Sequence, residues 1–116
     1  MRLEGNFYHI LEIQPNESGW VIKVGLEANH PIYAGHFPGQ PIVPGACTLT
    51  IIKECLEKVW QPSFVFHNIK DCKFLSVLQP HEGLELKLDI KTDGPTVRCT
   101  VYETDQVVMK LKAAIA

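Results

Sequence analysis

Nowhere in this 116-residue chain does an apolar run reach the ~18 residues that a membrane helix needs. Excess positive charge is missing too. Eleven Lys and Arg stand against 13 Asp and Glu, a net charge of −2 with histidine neutral, which argues against a large nucleic-acid footprint. Met1 to Gly5 shows no signal-peptide pattern, so a cytoplasmic protein is expected. Cys47, Cys55, Cys72 and Cys99 form no CxxC pair, and no metal site is expected. With nothing to suggest secretion, they read as small buried hydrophobes rather than disulfides. Cys47 is the exception: it lies near an expected helix N-terminus, where the dipole would lower a thiol pKa. Internal repeats and low-complexity tracts are absent. What remains is an ordinary globular composition, 46% hydrophobic and 21% charged, that suits one domain over residues 1–116. A domain this small leaves much surface exposed, so self-association would help it.

Along the chain, Phe7 to Ile13 reads as a strand, with Phe7, His9, Leu11 and Ile13 on one face and Tyr8, Ile10 and Glu12 on the other. A turn at Pro15–Gly19 leads into a second alternating segment, Trp20 to Leu26, and the pair reads as a hairpin. Ala46 to Trp60 is the one convincing helix. Leu49, Ile52, Leu56 and Val59 recur at helical spacing, with Ile51 and Cys55 widening the stripe and Thr50, Lys53, Glu54 and Glu57 opposite. Phe64 to Phe74, Leu84 to Ile90, Thr96 to Glu103 and Val107 to Ala114 read as strands separated by Pro/Gly or polar turns. One apolar helix wrapped by a curved antiparallel sheet buries both partners, an α+β arrangement.

Between hairpin and helix the pattern breaks. Ala28 to Gly45 holds four prolines and three glycines, which excludes helix or central strand. Ile32, Tyr33, Phe37, Ile42 and Val43 make it too apolar for a flexible linker, so it reads as a functional wall. A histidine in such a loop, His36, can act as a general base near neutral pH. Gly45 opens the helix, so its N–H lacks an intrahelical partner and lies at the positive end of the dipole. A thioester carbonyl set there would be polarised, and an enolate oxygen more so. Base plus donor is the minimum apparatus for taking a proton α to a carbonyl.

The stretch His36-Phe37-Pro38-Gly39-x-Pro41-x-x-Pro44-Gly45 resembles the signature of the beta-hydroxyacyl-acyl-carrier-protein dehydratases of fatty-acid synthesis. Phe7 to Ile13 resembles that family's first strand, and Asn68 to Leu86 resembles its "I-x-x-x-[KR]-F" strand and "P-G-[DE]-x-L" turn, with His81 where the family has glycine. The resemblance implies a hot-dog fold and a homodimer or higher homo-oligomer with its active site at the subunit interface. It implies no cofactor of the protein's own. The substrate is an acyl thioester on the phosphopantetheine of an acyl carrier protein, or on CoA, in fatty-acid, polyketide or polyene synthesis. It gives His36 the catalytic role, Gly45 the carbonyl-binding N–H, and the Pro38-Gly39 turn the task of setting the histidine. Phe37, Ile42 and Val43 follow as apolar walls of the acyl site.

Where the family carries a helix Glu or Asp, this chain has Thr50, a neutral hydroxyl that can orient a water or a substrate hydroxyl but donates protons poorly. Glu54, one turn later on the same helix face, is the candidate substitute acid; its alternative is a solvated residue paired with Lys58. Three functions stay open: a dehydratase with His36 as base, a hot-dog thioesterase in which Glu54 activates water, and a non-catalytic acyl-binding subunit. His9, His30, His67 and His81 read as structural or solvated. Lysines at 53, 58, 70, 73 and 91 would help an acidic carrier dock if they cluster.

Overall fold

A computed structural model describes residues 2–35, 39 and 41–115. Six strands and one α-helix follow in the order β1 (Tyr8–Asn16), β2 (Gly19–Leu26), α1 (Gly45–Val59), β3 (Phe66–Phe74), β4 (Glu85–Asp93), β5 (Thr96–Glu103) and β6 (Gln106–Ile115). A short 3-10 turn, Pro31–Gly35, precedes the helix. All strands join one sheet in the order β1-β2-β4-β5-β6-β3, every neighbouring pair antiparallel. Helix α1 packs on one face of this sheet, the hot-dog arrangement expected from the sequence.

Strict alternation decides that face. Leu86, Leu88 and Ile90 of β4, Val97, Cys99 and Val101 of β5, and Met109, Leu111 and Ala113 of β6 are all buried. They join Ile51, Ile52, Cys55 and Leu56 of the helix in one core. Residues between them point outward to solvent, as period two requires. At Gly19 the two strands β2 and β4 approach so closely that a Cβ would overlap the carbonyl of Ile90, so only glycine fits there.

The first strand departs from its expected span. It runs from Tyr8 to Asn16, and Phe7 is buried just ahead of it. Tyr8 is buried, while His9, Leu11 and Ile13 face solvent. The register with β2 shifts between Ile10 and Glu12, an irregularity on this edge strand. The other strands match the expected segments to within a few residues, and β5 matches at both ends.

Helix α1 holds a larger surprise. Glu54, expected on the polar side, is 3% exposed. Its Oε2 accepts the Leu3 N–H at 2.9 Å, and its Oε1 accepts the Glu4 N–H at 2.9 Å and the Tyr8 hydroxyl at 3.0 Å. Lys58 pairs with Glu4 at 2.7 Å instead. The expectation of a solvated Glu54 beside Lys58 is thus corrected. Helical periodicity shows which side faces the sheet, but not that the N-terminal segment covers the other side. Burial foremost, with the Cys55 and Glu54 charges adding to it, holds the Tyr8 phenol well above its usual range, so it stays a donor. Cys47 is corrected as well: burial raises its thiol, and the helix N-terminus does not make it reactive.

Three donors on one buried carboxylate make Glu54 the rivet between the N-terminal segment and α1. Glu54→Gln turns an amide donor toward one of them. Urea unfolding should show a loss on the order of 1–3 kcal/mol, and an unchanged midpoint would contradict the anchoring role.

Candidate active site

The Pro/Gly loop ends where it must. Pro44 takes an extended conformation as N-cap, with φ −61° and ψ 140°, and proline cannot continue a helix backwards through its missing N–H. Helix α1 therefore begins at Gly45. The Val43 N–H donates to the Leu78 carbonyl at 2.8 Å, which ties the loop to the β3–β4 connection. Together they enclose a largely apolar cavity of about 320 Å³. Its walls include Ile42, Val43, Phe74, Leu78, Val108 and Met109, and Gly45 and Thr48 of the helix open onto it.

Gly45 lies close under the wall. A Cβ at this position would lie 2.8 Å from the Phe74 ring, so a side chain here has to displace that half-exposed ring. The close approach keeps the first turn of the helix, with its outward N–H groups, at the cavity surface. That is the arrangement expected for polarising a carbonyl oxygen.

Of the residues singled out from sequence, the structure brings Ile42, Val43 and Gly45 to one cavity. Gly39 lies in an exposed turn at φ +92°, a left-handed conformation that suits glycine. His36, Phe37 and Pro38 lie outside the described residues. Thr50 and Glu54 are elsewhere: with Arg2, Lys53 and Glu57 they line a separate polar depression of about 480 Å³. The Thr50 hydroxyl donates to the Ala46 carbonyl at 2.9 Å, a back-bond within the helix that occupies its only proton. His81 is exposed beside Glu103 at 3.3 Å, and the Glu82 carbonyl, then Glu103, raises its pKa.

Sequence reasoning missed Thr48. It is 4% exposed, yet it lines the cavity beside Gly45. The signal was available, since residues three apart share a helix face, but attention to the position of the family acid led to Thr50, about 200° around the helix from Thr48. Clustering of cations could not be read from sequence either. Lys70, Lys91, Arg98 and Lys112 gather around one depression of about 350 Å³ on the outer face of the sheet. Lys91 stands opposite Arg98, and Arg98 opposite Lys112, across β4, β5 and β6.

Among the described residues no helix is long and apolar enough to cross a membrane, and no group of His, Cys, Asp and Glu is arranged to hold a metal.

Comparison with known proteins bears on the fold and the family. Residues 12–112 match the family model described as ApeI-like, ApeI dehydratase. The 3-hydroxyacyl-acyl-carrier-protein dehydratase FabZ of Lactiplantibacillus plantarum is 31% identical over 124 residues, covering 91% of this chain and 82% of that protein. FabZ of Alkaliphilus metalliredigens is 33% identical over 88 residues, covering 70% of this chain and 59% of its relative. Among solved structures, the dehydratase heterocomplex ApeI:P from Xenorhabdus doucetiae superposes with a TM-score of 0.80 at 25% identity, over 92% of this chain and 96% of that one. Fold, loop motif and a family match across nearly the whole length lead to one conclusion: this chain belongs to the ApeI-like dehydratase family of hot-dog proteins.

Proposed function

We propose that this protein dehydrates a 3-hydroxyacyl thioester delivered on an acidic carrier protein. The observation that carries this reading is the apolar cavity into which the N-terminal turn of α1 opens at Gly45. The thioester carbonyl accepts a hydrogen bond from the Gly45 N–H, and the apolar walls receive the acyl chain. His36 takes the proton from C2. The electron pair left behind forms the C2=C3 double bond as the C3–O bond breaks, and the hydroxyl leaves as water once protonated.

The proton on the leaving oxygen needs a source. Glu54 has its carboxylate filled by three donors, which favours anchoring over acid catalysis. Thr50 is already bonded to Ala46 and lines a depression apart from the Gly45 cavity of its own subunit. Water is the remaining donor, so slow intrinsic turnover is expected. The comparison is Thr50→Glu, which restores the family carboxylate at the subunit interface that the resemblance implies, where it serves the cavity of the partner subunit. Turnover of a 3-hydroxyacyl-carrier substrate should rise, by up to the ~10²–10⁴-fold typical of general acids, and His36→Ala should abolish it in both backgrounds. Fast wild-type turnover that Thr50→Glu slows would reject this assignment. Binding without turnover in either form would favour the non-catalytic acyl-binding subunit.

Two surface features support a carrier-borne substrate and a second subunit. Asp89 lies 3.7 Å from Lys91 and Asp71 stands opposite Lys112, yet around the depression Lys70, Lys91, Arg98 and Lys112 face Asp93 alone, a local cationic excess that suits an acidic carrier. Strand β3 is a sheet edge, and Val65, Ile69, Phe74, Leu75 and Val77, on it or flanking it, are exposed. Such an edge invites pairing with another chain, and we assign it to a homodimer. Light scattering should give a dimer at micromolar concentration, and Ile69→Lys should shift it toward monomer. A monomeric wild type would refute the assignment.

A further inference from the structure

The Gly45 cavity contains two hydroxyl side chains, Ser76 and Thr48, in otherwise mostly apolar walls. They differ in one respect. The Ser76 hydroxyl is occupied: it accepts from the Gln106 amide at 2.9 Å and donates to the Val107 carbonyl at 3.4 Å. Thr48 makes no side-chain hydrogen bond among the described residues, although the residue is 4% exposed. Thr48 lines the cavity on the same helix as Gly45.

A hydroxyl with no partner among the described residues, set in mostly apolar walls, is free to pair with a ligand. Its position suggests which. Thr48 lies three residues after Gly45, on the same helix face and about 4.5 Å further along the axis. The Gly45 N–H marks where the thioester carbonyl, C1, is held in the reading above. The oxygen on C3, two carbons along the acyl chain, then comes within reach of Thr48 Oγ1. A threonine hydroxyl both donates and accepts, so it can pair with an alcohol in either sense.

We infer that Thr48 is a specificity-determining residue that hydrogen-bonds the 3-hydroxyl of the acyl thioester in the Gly45 cavity. It distinguishes the hydroxyacyl substrate from the enoyl product, which lacks that oxygen. A purely apolar pocket does not favour the hydroxyl-bearing ligand, whereas a polar partner in its wall does, by about one net hydrogen bond. Release of the enoyl product is helped by the same loss. The inference rests on the cavity being an acyl-thioester site.

The test measures binding, so it does not depend on turnover. Isothermal titration compares 3-hydroxybutyryl-pantetheine with crotonyl-pantetheine on wild type, Thr48→Val and Thr48→Ser. Thermal unfolding confirms that each variant is folded, and Thr48→Ala replaces the valine variant if that one is not. Wild type should bind both ligands. Thr48→Val should weaken the hydroxyacyl ligand roughly 2- to 10-fold, the range of one net hydrogen bond, and leave the crotonyl ligand unchanged. Thr48→Ser should restore the difference. Equal losses for both ligands, or none for the hydroxyacyl ligand, would overturn the role of Thr48 while leaving the acyl-site reading intact. Failure of wild type to bind either ligand would overturn both.

Discussion

Helix α1 has to be buried on more than one side. Ile51, Ile52, Cys55 and Leu56 pack into the core with the inner face of the six-stranded sheet, and the helix also takes the N-terminal segment through Glu54. Every other feature depends on this double burial. The sheet needs the helix to cover its apolar face, and the helix must begin where Pro44 permits. Its first turn consequently opens onto the space between the Pro/Gly loop and the β3–β4 connection. The cavity is the gap left where this helix starts.

Such a start leaves fixed donors free at little structural cost. The N–H groups of a first turn are unpaired in any helix, and here Gly45 and the close Phe74 ring keep them at an apolar surface. Low polarity around fixed dipoles strengthens their effect on a carbonyl oxygen. A polar residue in the same walls stands out for the same reason, because among the described residues Thr48 lacks the hydrogen bonds that occupy Ser76.

Two polar side chains of the same helix are both engaged within the fold. At Thr50 the hydroxyl bonds back to Ala46, which suits the helix and needs no charge. Glu54 keeps a carboxylate one turn on but uses it to hold Leu3, Glu4 and Tyr8. A buried carboxylate with three donors is stable without a cation, since charge-assisted hydrogen bonds replace lost hydration. Carboxylate chemistry near this helix face therefore serves the fold.

The sequence by itself determined the strands β2 and β4 to β6 and the span of α1 to within a residue at each end. Those signals are local: alternation, helical spacing and the limits that proline and glycine place on the backbone. The motif from His36 to Gly45 also carried the family, because its fixed positions lie close together in the chain. Tertiary structure alone decided the rest. Nothing near Glu54 in sequence announces that Leu3 and Tyr8 will meet it, and Lys70, Lys91, Arg98 and Lys112 come together only through strand pairing. Likewise Thr48, not Thr50, opens onto the Gly45 cavity because Phe74, Leu78 and Met109 arrive from distant strands and connections. Local pattern fixes which face a side chain takes, whereas what lies opposite that face depends on long-range contacts that no short window of sequence contains.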